Sequence, residues 1–352
     1  MIFYDFFSGC GGTSQGMREA GLTIKLGIDL DRDSASTYRK NFPNAGFIER
    51  DIRMLRAKDI QPYVSSSSKR RPIVFGACAP CQPFSKQRRG HAEGDARKDL
   101  LSEFHRFVRT YLPEYVFIEN VPGLQSVEEK KGPFARFIRL LTRLGYWHAH
   151  EIVVASHFGV PQHRRRLVLI ASRLGPIEFP KPTHGPKSAR KKLPSVWEAI
   201  GHLPPIAAGE IHPDVPNHQA ANLSELNLRR IKATRVGGSR ADWPEALVLD
   251  CHRSFDGHTD VYGRMAKNAP SSALTTRCIS LSNGRFGHPT QHRAISVREA
   301  ACLQNFPMDF EFLGSLGSTG RQVGNAVPVA MARVFGEAIG AHYRDHRKKV
   351  RR

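Results

Sequence analysis

The stretch that decides the fold opens the chain and reads Met1-Ile2-Phe3-Tyr4-Asp5-Phe6-Phe7-Ser8-Gly9-Cys10-Gly11-Gly12. Its apolar beginning, residues 1–6, predicts a buried strand, and residues 13–20 predict a short helix. Glycines between a strand and a helix let the backbone approach a ligand closely, as at the start of a Rossmann-like nucleotide site. The spacing is not G-x-G-x-x-G, which counts against a dinucleotide.

Two further strands are predicted next, and each ends near an acidic residue. The second, Thr23 to Ile28, leads into Asp29, and the third, Phe47 to Glu49, precedes Asp51 and Ile52. An acid at the end of a second strand can accept hydrogen bonds from ribose hydroxyls. Asp51 can accept from an adenine amino group while Ile52 packs on the ring. The alternative for the acids is ordinary loop and helix-capping chemistry.

A second decisive stretch follows a predicted strand at 72–77 and reads Ala79-Pro80-Cys81-Gln82-Pro83-Phe84-Ser85. The prolines around Cys81 exclude an ordinary helix start, so this cysteine is expected on a stiff loop at the carboxyl end of a strand. Open α/β sheets place their chemistry at that edge. Nearby positive charge favours the thiolate form and is supplied by Lys86, Arg88 and Arg89.

Cys81 also has plainer interpretations. A buried cysteine usually packs as a small apolar side chain. With Cys78 it forms a C-x-x-C pair, which is typical of redox centres and of half zinc sites. This stretch alone leaves the nucleophile, the redox pair and simple packing open.

Later segments add charged candidates to the same sheet. Residues 82–99 form a long loop rich in Gly and Arg, which predicts a lid. A predicted strand at 115–118 ends in Glu119, whose plainer interpretation is a carboxylate paired with an arginine. The basic run from Pro161 to Arg166 stands between two predicted strands, at 146–155 and 167–171, so we expect at least one arginine to point into the site.

The overall charge points to a polyanionic partner. Of 352 residues, 53 are Lys or Arg and 32 are Asp or Glu, which gives 53 − 32 = +21. The basic end at 344–352 explains only part of this excess, so nucleic acid is the expected partner. We find no apolar run long enough for a bilayer and no signal peptide, and six mostly isolated cysteines do not resemble a disulfide framework. A reducing cytoplasm is expected.

The composition and periodicity of the sequence change after Ser172. Residues 175–220 hold many prolines and few periodic segments, which predicts a linker into a second, irregular domain. That domain carries Arg253 and Arg264 among other polar residues suited to phosphate and base-edge contacts. Helices are predicted at 296–304 and 329–343.

Several motifs then follow one another in a specific order. They are Asp5 through Gly12, Pro80-Cys81-Gln82 with Phe84-Ser85, Glu119-Asn120-Val121, Gln162 with Arg164 and Arg166, Arg298-Glu299-Ala300 through Leu303-Gln304-Asn305-Phe306-Pro307, and Gly324-Asn325-Ala326-Val327-Pro328. Together they span nearly the whole chain, which resembles the DNA cytosine-5 methyltransferases. The chain departs from that family at Cys78-Ala79, where Gly-Phe or Gly-x is usual, and at Leu30, where an aromatic residue is frequent.

The resemblance implies an α/β fold, with a Rossmann-like, S-adenosylmethionine-dependent methyltransferase mixed sheet and a second, smaller, irregular target-recognition domain. The expected large catalytic and cofactor-binding domain comprises residues 1–174 and 322–345, and the small domain comprises 175–321. Residues 346–352 are expected to form a basic tail.

The resemblance also implies a covalent mechanism. Carbon-5 of cytosine is too weak a nucleophile until a thiolate, here Cys81, adds to carbon-6. Glu119 then acts at ring nitrogen-3, and Arg166 orients the base at its carbonyl oxygen. Arg164 is expected to hold the lid or the Cys81 loop. The cytosine must be flipped out of the duplex to be reached.

S-adenosylmethionine is the implied cofactor, and no metal is expected. The expected cofactor residues are Phe7, Ser8, Gly9, Cys10, Gly11, Gly12, Asp29, Leu30, Asp51, Ile52, Pro80, Asn325 and Val327. The expected DNA contacts are Gln82, Ser85, Arg88, Arg89, Arg97, Arg253 and Arg264.

The implied partner is double-stranded DNA, with no membrane, and the enzyme is expected to act as a monomer in the cytoplasm, at the nucleoid. The family type is bacterial restriction-modification, in which a cognate restriction endonuclease is a functional partner. The alternatives are an RNA cytosine-5 methyltransferase and a catalytically idle DNA-binding paralogue, with a C-x-x-C oxidoreductase a more distant third. The target DNA sequence cannot be read from the chain, because recognition by loops has no simple code.

Overall fold

A computed structural model describes residues 1–65, 71–80, 100–123, 132–186, 191–253 and 260–350. The strands are β1 (Ile2–Phe6), β2 (Thr23–Asp29), β3 (Gly46–Glu49), β4 (Ile73–Ala77), β5 (Tyr115–Asn120), β6 (Trp147–Val154), β7 (Gln162–His163), β8 (Arg165–Ser172) and β9 (Ser271–Ser272). The α-helices are α1 (Gly12–Glu19), α2 (Arg32–Asn41), α3 (Ala57–Ser65), α4 (Leu100–Tyr111), α5 (Pro133–Arg143), α6 (Val196–Ile200), α7 (Glu225–Ala233), α8 (Val297–Leu303), α9 (Leu316–Asn325) and α10 (Val329–Val350).

The chain divides into two compact units. Unit 1 comprises Met1–Val154, Arg165–Lys181 and Val327–Arg352, and unit 2 comprises Ala155–Arg164 and Pro182–Ala326. These boundaries differ by several residues from the expected domain limits at 174/175 and 321/322, and unit 2 also takes in residues 155–164. The assignment of catalysis and target recognition to separate domains stays a prediction.

One mixed sheet forms the centre of unit 1. Its strand order is β3-β2-β1-β4-β5-β8-β6, and the first five of these strands run parallel. β8 runs antiparallel to both of its neighbours. All residues of β1 and β5 are buried, as parallel strands covered on both faces require. The carboxyl ends of five strands therefore meet the start of β8 at one edge of the sheet.

The final helix belongs to the same unit as the first. A Cβ on Gly16 of α1 would lie 2.5 Å from the Cβ of Ala332 in α10, so these helices approach more closely than a larger residue would permit. The chain thus returns to unit 1 at its end. Helix α10 continues to Val350, so most of the segment expected as a basic tail is helical.

Unit 2 contains little regular structure, and buried arginines satisfy many of its loop carbonyls. Arg264, Arg293 and Arg298 are at most 3% exposed. Their carbonyl partners include Thr234, His288 and Gln291 for Arg264, Ile206 and Ala294 for Arg293, and Pro216, Pro307 and Phe310 for Arg298. Such bonds replace the ladder of a sheet, because buried carbonyl groups need donors.

In the described part of the chain, no helix combines the length and the apolar character that crossing a membrane requires.

Candidate active site

The glycine turn between β1 and α1 uses left-handed backbone, which glycine adopts easily and which is unusual for Phe7. Phe7, Gly9 and Gly11 have φ angles of 59°, 51° and 103°, all in the left-handed region. A Cβ on Gly11 would lie 2.5 Å from a ring carbon of Phe42, so only glycine fits there. Beyond Phe7, the turn therefore presents backbone rather than bulky side chains at the edge of the sheet.

Asp29, at the end of β2, holds this turn in place. Its Oδ2 accepts a hydrogen bond from the Gly9 amide at 2.8 Å, and its Oδ1 accepts one from the Asp31 amide at 3.0 Å. Burial raises the pKa of Asp29 above its ordinary value, against the effect of these amide donors. The residue predicted to accept from a ribose thus also shapes the turn.

An open pocket lies beside the turn and has a cavity volume of about 50 Å³. It brings together the predicted cofactor residues Phe7, Asp29, Leu30, Asp51, Ile52 and Pro80, and Ile28, Arg50 and Leu100 complete its lining. Leu30 remains 65% exposed. An apolar lining with a few polar groups is typical of small-molecule sites.

Asp51 and Ile52, which line the pocket, lie at the start of the 3-10 turn Ile52–Met54. Two arginines hold this turn in place. Arg53 donates from its backbone amide and from its guanidinium to the Asp51 carboxylate, which lowers the pKa of Asp51. Arg106 of α4 donates to the carbonyl oxygens of Ile52 and Leu55. Helix α4 thereby fixes the backbone that carries Ile52.

Two of the predicted catalytic residues form an ion pair at the same edge of the sheet. Arg166 Nε lies 2.7 Å from Glu119 Oε1, and their side chains are 14% and 8% exposed. Glu119 lies within β5, which extends two residues further than predicted, and Arg166 is the second residue of β8. The antiparallel pairing of β5 with β8 places the two charged groups together.

Asn120, the last residue of β5, links this strand to the loop that follows β4. Its Nδ2 donates to the Ala79 carbonyl oxygen at 3.1 Å, and its Oδ1 accepts from the Val121 amide at 2.7 Å. Ala79 is two residues before Cys81, so Asn120 fixes the backbone from which the predicted nucleophile loop departs. Asparagine is suited to this task because its amide both donates and accepts.

Cys78 follows β4 and lies 3.3 Å, sulfur to oxygen, from the Thr13 hydroxyl. Burial, followed by the charge of Glu119, raises the pKa of Cys78 well above its ordinary value. Burial likewise raises the pKa of Cys10 in the glycine turn to about 12. Both thiols therefore stay protonated at neutral pH and are poor nucleophiles.

Gln162 and Arg164 belong to unit 2, where both bind backbone. Gln162 Oε1 accepts from the Leu274 amide at 2.9 Å, and the Arg164 guanidinium donates to the carbonyl oxygens of Leu274 at 2.7 Å and Gly324 at 3.2 Å. Arg164 is only 4% exposed. The structure therefore places Arg164 as a support for these backbone segments of unit 2.

The predicted DNA contacts differ in where they lie. Arg253 is exposed and pairs with Glu245 at 3.3 Å and Asp250 at 3.6 Å. Arg264 is 3% exposed and binds carbonyl oxygens inside unit 2, so its guanidinium serves packing rather than a surface contact. The described residues do not include Cys81, Gln82, Ser85, Arg88, Arg89 or Arg97, nor the predicted lid at 82–99.

The remaining cofactor candidates are Asn325, which is exposed at the end of α9, and Val327, which is buried just before α10. Their predicted contacts with the cofactor stay predictions.

A mixed sheet with a glycine turn after β1, an acid at the end of β2 and a Glu–Arg pair that links β5 to β8 is typical of nucleotide-binding α/β enzymes. A family model for C-5 cytosine-specific DNA methylases matches residues 1–341, and the chain belongs to this family. It is a DNA cytosine-5 methyltransferase of the restriction-modification type.

Several relatives match over almost the full chain. The Type II methylase M.HgiDII of Herpetosiphon aurantiacus is 38% identical over 341 residues, which cover 95% of this chain and 94% of the relative. The Type II methyltransferase M1.HphI of Haemophilus parahaemolyticus is 35% identical, covering 96% and 86% of the two chains. A solved structure described as a candidate DNA modification methyltransferase, encoded within a prophage of E. coli, has a TM-score of 0.76 at 22% identity and covers 97% and 99%. This last likeness concerns the fold.

The family and the fold imply S-adenosylmethionine as methyl donor. The pocket suits such a molecule, since it combines apolar walls with the carboxylates of Asp29 and Asp51. Ser8 Oγ, in the glycine turn beside the pocket, is buried and has no hydrogen-bond partner among the described residues. A buried hydroxyl without a partner is costly unless a ligand or water satisfies it.

The sequence assigned no individual role to two residues that shape the site, although one of them, Asn120, stands in the Glu119-Asn120-Val121 motif. Asn120 stands directly after Glu119, so its position at a strand end was an available signal. Arg106 lies inside a helix and shows no such signal, because its role depends on a carbonyl group more than fifty residues away in the chain.

Proposed function

We propose that the chain methylates carbon-5 of a cytosine flipped out of a specific duplex DNA sequence, with Cys81 as the nucleophile. The observation that carries the proposal is the Glu119–Arg166 ion pair, which lies at the same sheet edge as the glycine turn and its pocket. A charged pair suited to hold a pyrimidine thus shares one edge with a pocket suited to a nucleoside. The nucleophile loop begins at that edge, after β4.

The proposed chemistry follows from the reactivity of cytosine. The Cys81 thiolate forms a bond to carbon-6, and the electron pair moves to carbon-5, which becomes nucleophilic. S-adenosylmethionine supplies the methyl group to carbon-5 when bound. A base then removes the proton from carbon-5, and the electron pair of that bond expels the thiolate from carbon-6.

Glu119 and Arg166 act on the base rather than on the methyl group. As Cys81 attacks, negative charge develops on the ring, and a hydrogen bond or proton from Glu119 at nitrogen-3 lowers the barrier. Arg166 keeps the Glu119 carboxyl group oriented and donates to the cytosine carbonyl oxygen. Arg164 supports the backbone of unit 2 and takes no part in the bond changes.

The cofactor is proposed to lie in the pocket beside the glycine turn. Asp29 accepts from the ribose, Asp51 accepts from the adenine amino group, and Leu30 and Ile52 pack on the adenine faces. Ser8 and the backbone of the turn face the amino-acid part of the cofactor. The lining contains both carboxylates and both apolar residues that these contacts need.

The proposed partner is duplex DNA, which the excess of 53 basic over 32 acidic residues would attract. Unit 2 carries target recognition, and its exposed Arg253 remains a candidate for contact with DNA. We further propose a monomer that acts in the cytoplasm at the nucleoid, where its substrate is, alongside a cognate restriction endonuclease.

Duplex DNA that carries 5-fluorocytosine tests the covalent mechanism. Fluorine cannot leave carbon-5 as a cation, so the enzyme should remain attached to the DNA through Cys81 and migrate as an adduct on a denaturing gel. Cys81→Ser should give no adduct and no methylation, whereas Cys78→Ser, the matched control, should retain both. Adduct formation by Cys81→Ser would refute the assignment, and equal loss in both variants would indicate a C-x-x-C pair instead.

A further inference from the structure

Beneath the glycine turn lies a network of buried, hydrogen-bonded polar groups that joins three elements of unit 1. Ser14 Oγ in α1 lies 2.6 Å from Asp5 Oδ2 in β1 and 2.8 Å from the hydroxyl oxygen of Tyr38 in α2. All three residues are fully buried. Buried polar groups linked in this way are rigid, because each loses its partner if one of them moves.

The positions of the protons decide which group donates in each of these two hydrogen bonds. Burial raises the pKa of Asp5 to about 7, and above that pH its carboxylate can only accept. The single hydroxyl proton of Ser14 then goes to Asp5, which leaves the Ser14 oxygen to accept from Tyr38. A phenylalanine at position 38 cannot make this bond.

The Tyr38 ring packs closely against both the glycine turn and β2. A Cβ on Gly11 would lie 3.2 Å from Tyr38 Cδ2, and one on Gly27 of β2 would lie 2.6 Å from Tyr38 Cζ. The ring also packs on Phe42, with 4.5 Å between the centroids. Tyr38 is thus wedged between the turn and β2, and its hydroxyl reaches the first turn of α1.

We propose that Tyr38 is a positioning residue for the methyl donor, which holds the glycine turn in the form that binds S-adenosylmethionine. Its ring packs against Gly11, and its hydroxyl group forms a hydrogen bond with Ser14 at the start of α1. This role rests on the proposed function of the adjacent pocket. Tyr38 itself is buried and touches neither the cofactor nor the DNA.

Tyr38→Phe tests this role, because it removes the hydroxyl and keeps the ring. Loss of one hydrogen bond should raise the Kd and the KM for S-adenosylmethionine about 3- to 10-fold. The kcat at saturating cofactor and the KM for DNA should stay within about twofold of the wild type, since the bond acts on binding alone. Calorimetry on the full chain measures the Kd, and methyl transfer to duplex DNA measures the rest.

The matched control is Tyr146→Phe, which also removes a buried hydroxyl bond, in this case to the Pro113 carbonyl oxygen at 2.5 Å. It should lower the melting temperature as Tyr38→Phe does but leave the Kd unchanged. Ser14→Ala removes the hydrogen bonds of Ser14 to both Asp5 and Tyr38. Adding Tyr38→Phe to this variant should therefore cost little more affinity for S-adenosylmethionine. Ser14→Ala alone also breaks the bond to Tyr38, so its Kd tests the role if Tyr38→Phe folds poorly.

A Kd of Tyr38→Phe equal to that of the wild type would overturn the positioning role, as would fully additive effects of Ser14→Ala and Tyr38→Phe. A loss in kcat with unchanged KM would overturn it too. These outcomes differ from failure of the proposed function, in which the wild-type chain itself would not bind S-adenosylmethionine.

Discussion

Arg166 Nε lies 2.7 Å from Glu119 Oε1, and both side chains are almost fully removed from solvent. The pair joins the end of β5 to the start of β8, where the sheet changes from parallel to antiparallel. Each charge compensates the other in a setting that would otherwise disfavour both. The order of the strands therefore places a carboxylate and a guanidinium side by side at the edge where the segment with the proposed nucleophile begins.

Glu119→Gln keeps the size of the side chain but removes its charge and its ability to supply a proton. We expect methyl transfer to fall by about 10²- to 10⁴-fold, the usual loss for a group that assists proton transfer. The Kd for S-adenosylmethionine should not change. Glu151→Gln, on the exposed part of β6, is the control and should keep full activity. Near-normal kcat in Glu119→Gln would remove Glu119 from the mechanism.

Asn120→Ala should weaken catalysis through the nucleophile loop, because the Ala79 carbonyl oxygen loses its side-chain donor. The expected cost in stability is about 1 kcal/mol, and kcat should fall about tenfold as the loop becomes less well positioned. Thermal unfolding and single-turnover methylation measure the two effects. Asn41→Ala, which removes a helix-surface bond to Thr37 O, should affect neither. Unchanged kcat in Asn120→Ala would contradict this role.

Asp5 should make the stability of unit 1 depend on pH. Burial raises its pKa from 3.8 to about 7, so between these values the folded chain holds a proton that the unfolded chain has lost. Stability should therefore fall as pH rises from about 4 to about 7 and change no further above that, by roughly 4 kcal/mol in total.

Asp5→Asn should remove this fall, because asparagine does not titrate. Urea unfolding of both proteins between pH 5 and 8 measures the difference, which should grow in favour of the variant as pH rises. Asp59→Asn is the control, since hydrogen bonds from Arg56 lower the pKa of Asp59 and it stays ionised over this range. Parallel stability curves for wild type and Asp5→Asn would contradict the prediction.

Arg293→Met should destabilise unit 2 strongly. The guanidinium forms a two-pronged ion pair with Glu299, at 2.7 and 2.6 Å, and both side chains are almost fully buried. Removing one partner of a buried pair leaves an uncompensated charge and costs about 3–5 kcal/mol. Denaturant unfolding measures this cost. Arg235→Met breaks the ion pair between the solvent-exposed guanidinium of Arg235 and Asp242 and should cost at most about 1 kcal/mol. Similar costs for the two variants would show that the buried pair is not a main source of stability in unit 2.

The sequence predicted the sheet well because its central strands are short apolar runs, buried on both faces. β1 and β4 lie within one residue of the predicted limits. Helix capping also follows from the residue type, since Asp31 accepts from the Ser34 amide at the start of α2. These features depend on neighbouring residues alone.

Features that depend on distant packing were not predictable. Helix α9 contains Gly320 and Gly324, which disfavour a helix by propensity. A Cβ on Gly324 would lie 1.9 Å from the Thr275 carbonyl oxygen, so close packing requires the glycine. Charge counting likewise located Arg264 in a basic region but could not show that its guanidinium turns inward.

The inward-facing arginines of unit 2 have a consequence for how new specificities can arise. Arg264, Arg293 and Arg298 hold irregular backbone from within, so the frame does not depend on the residues that face solvent. Surface loops on a rigid support can vary without loss of the fold. If unit 2 reads the DNA sequence, as proposed, then exchanging exposed side chains while keeping these internal cations is a direct route to enzymes that modify other DNA sites.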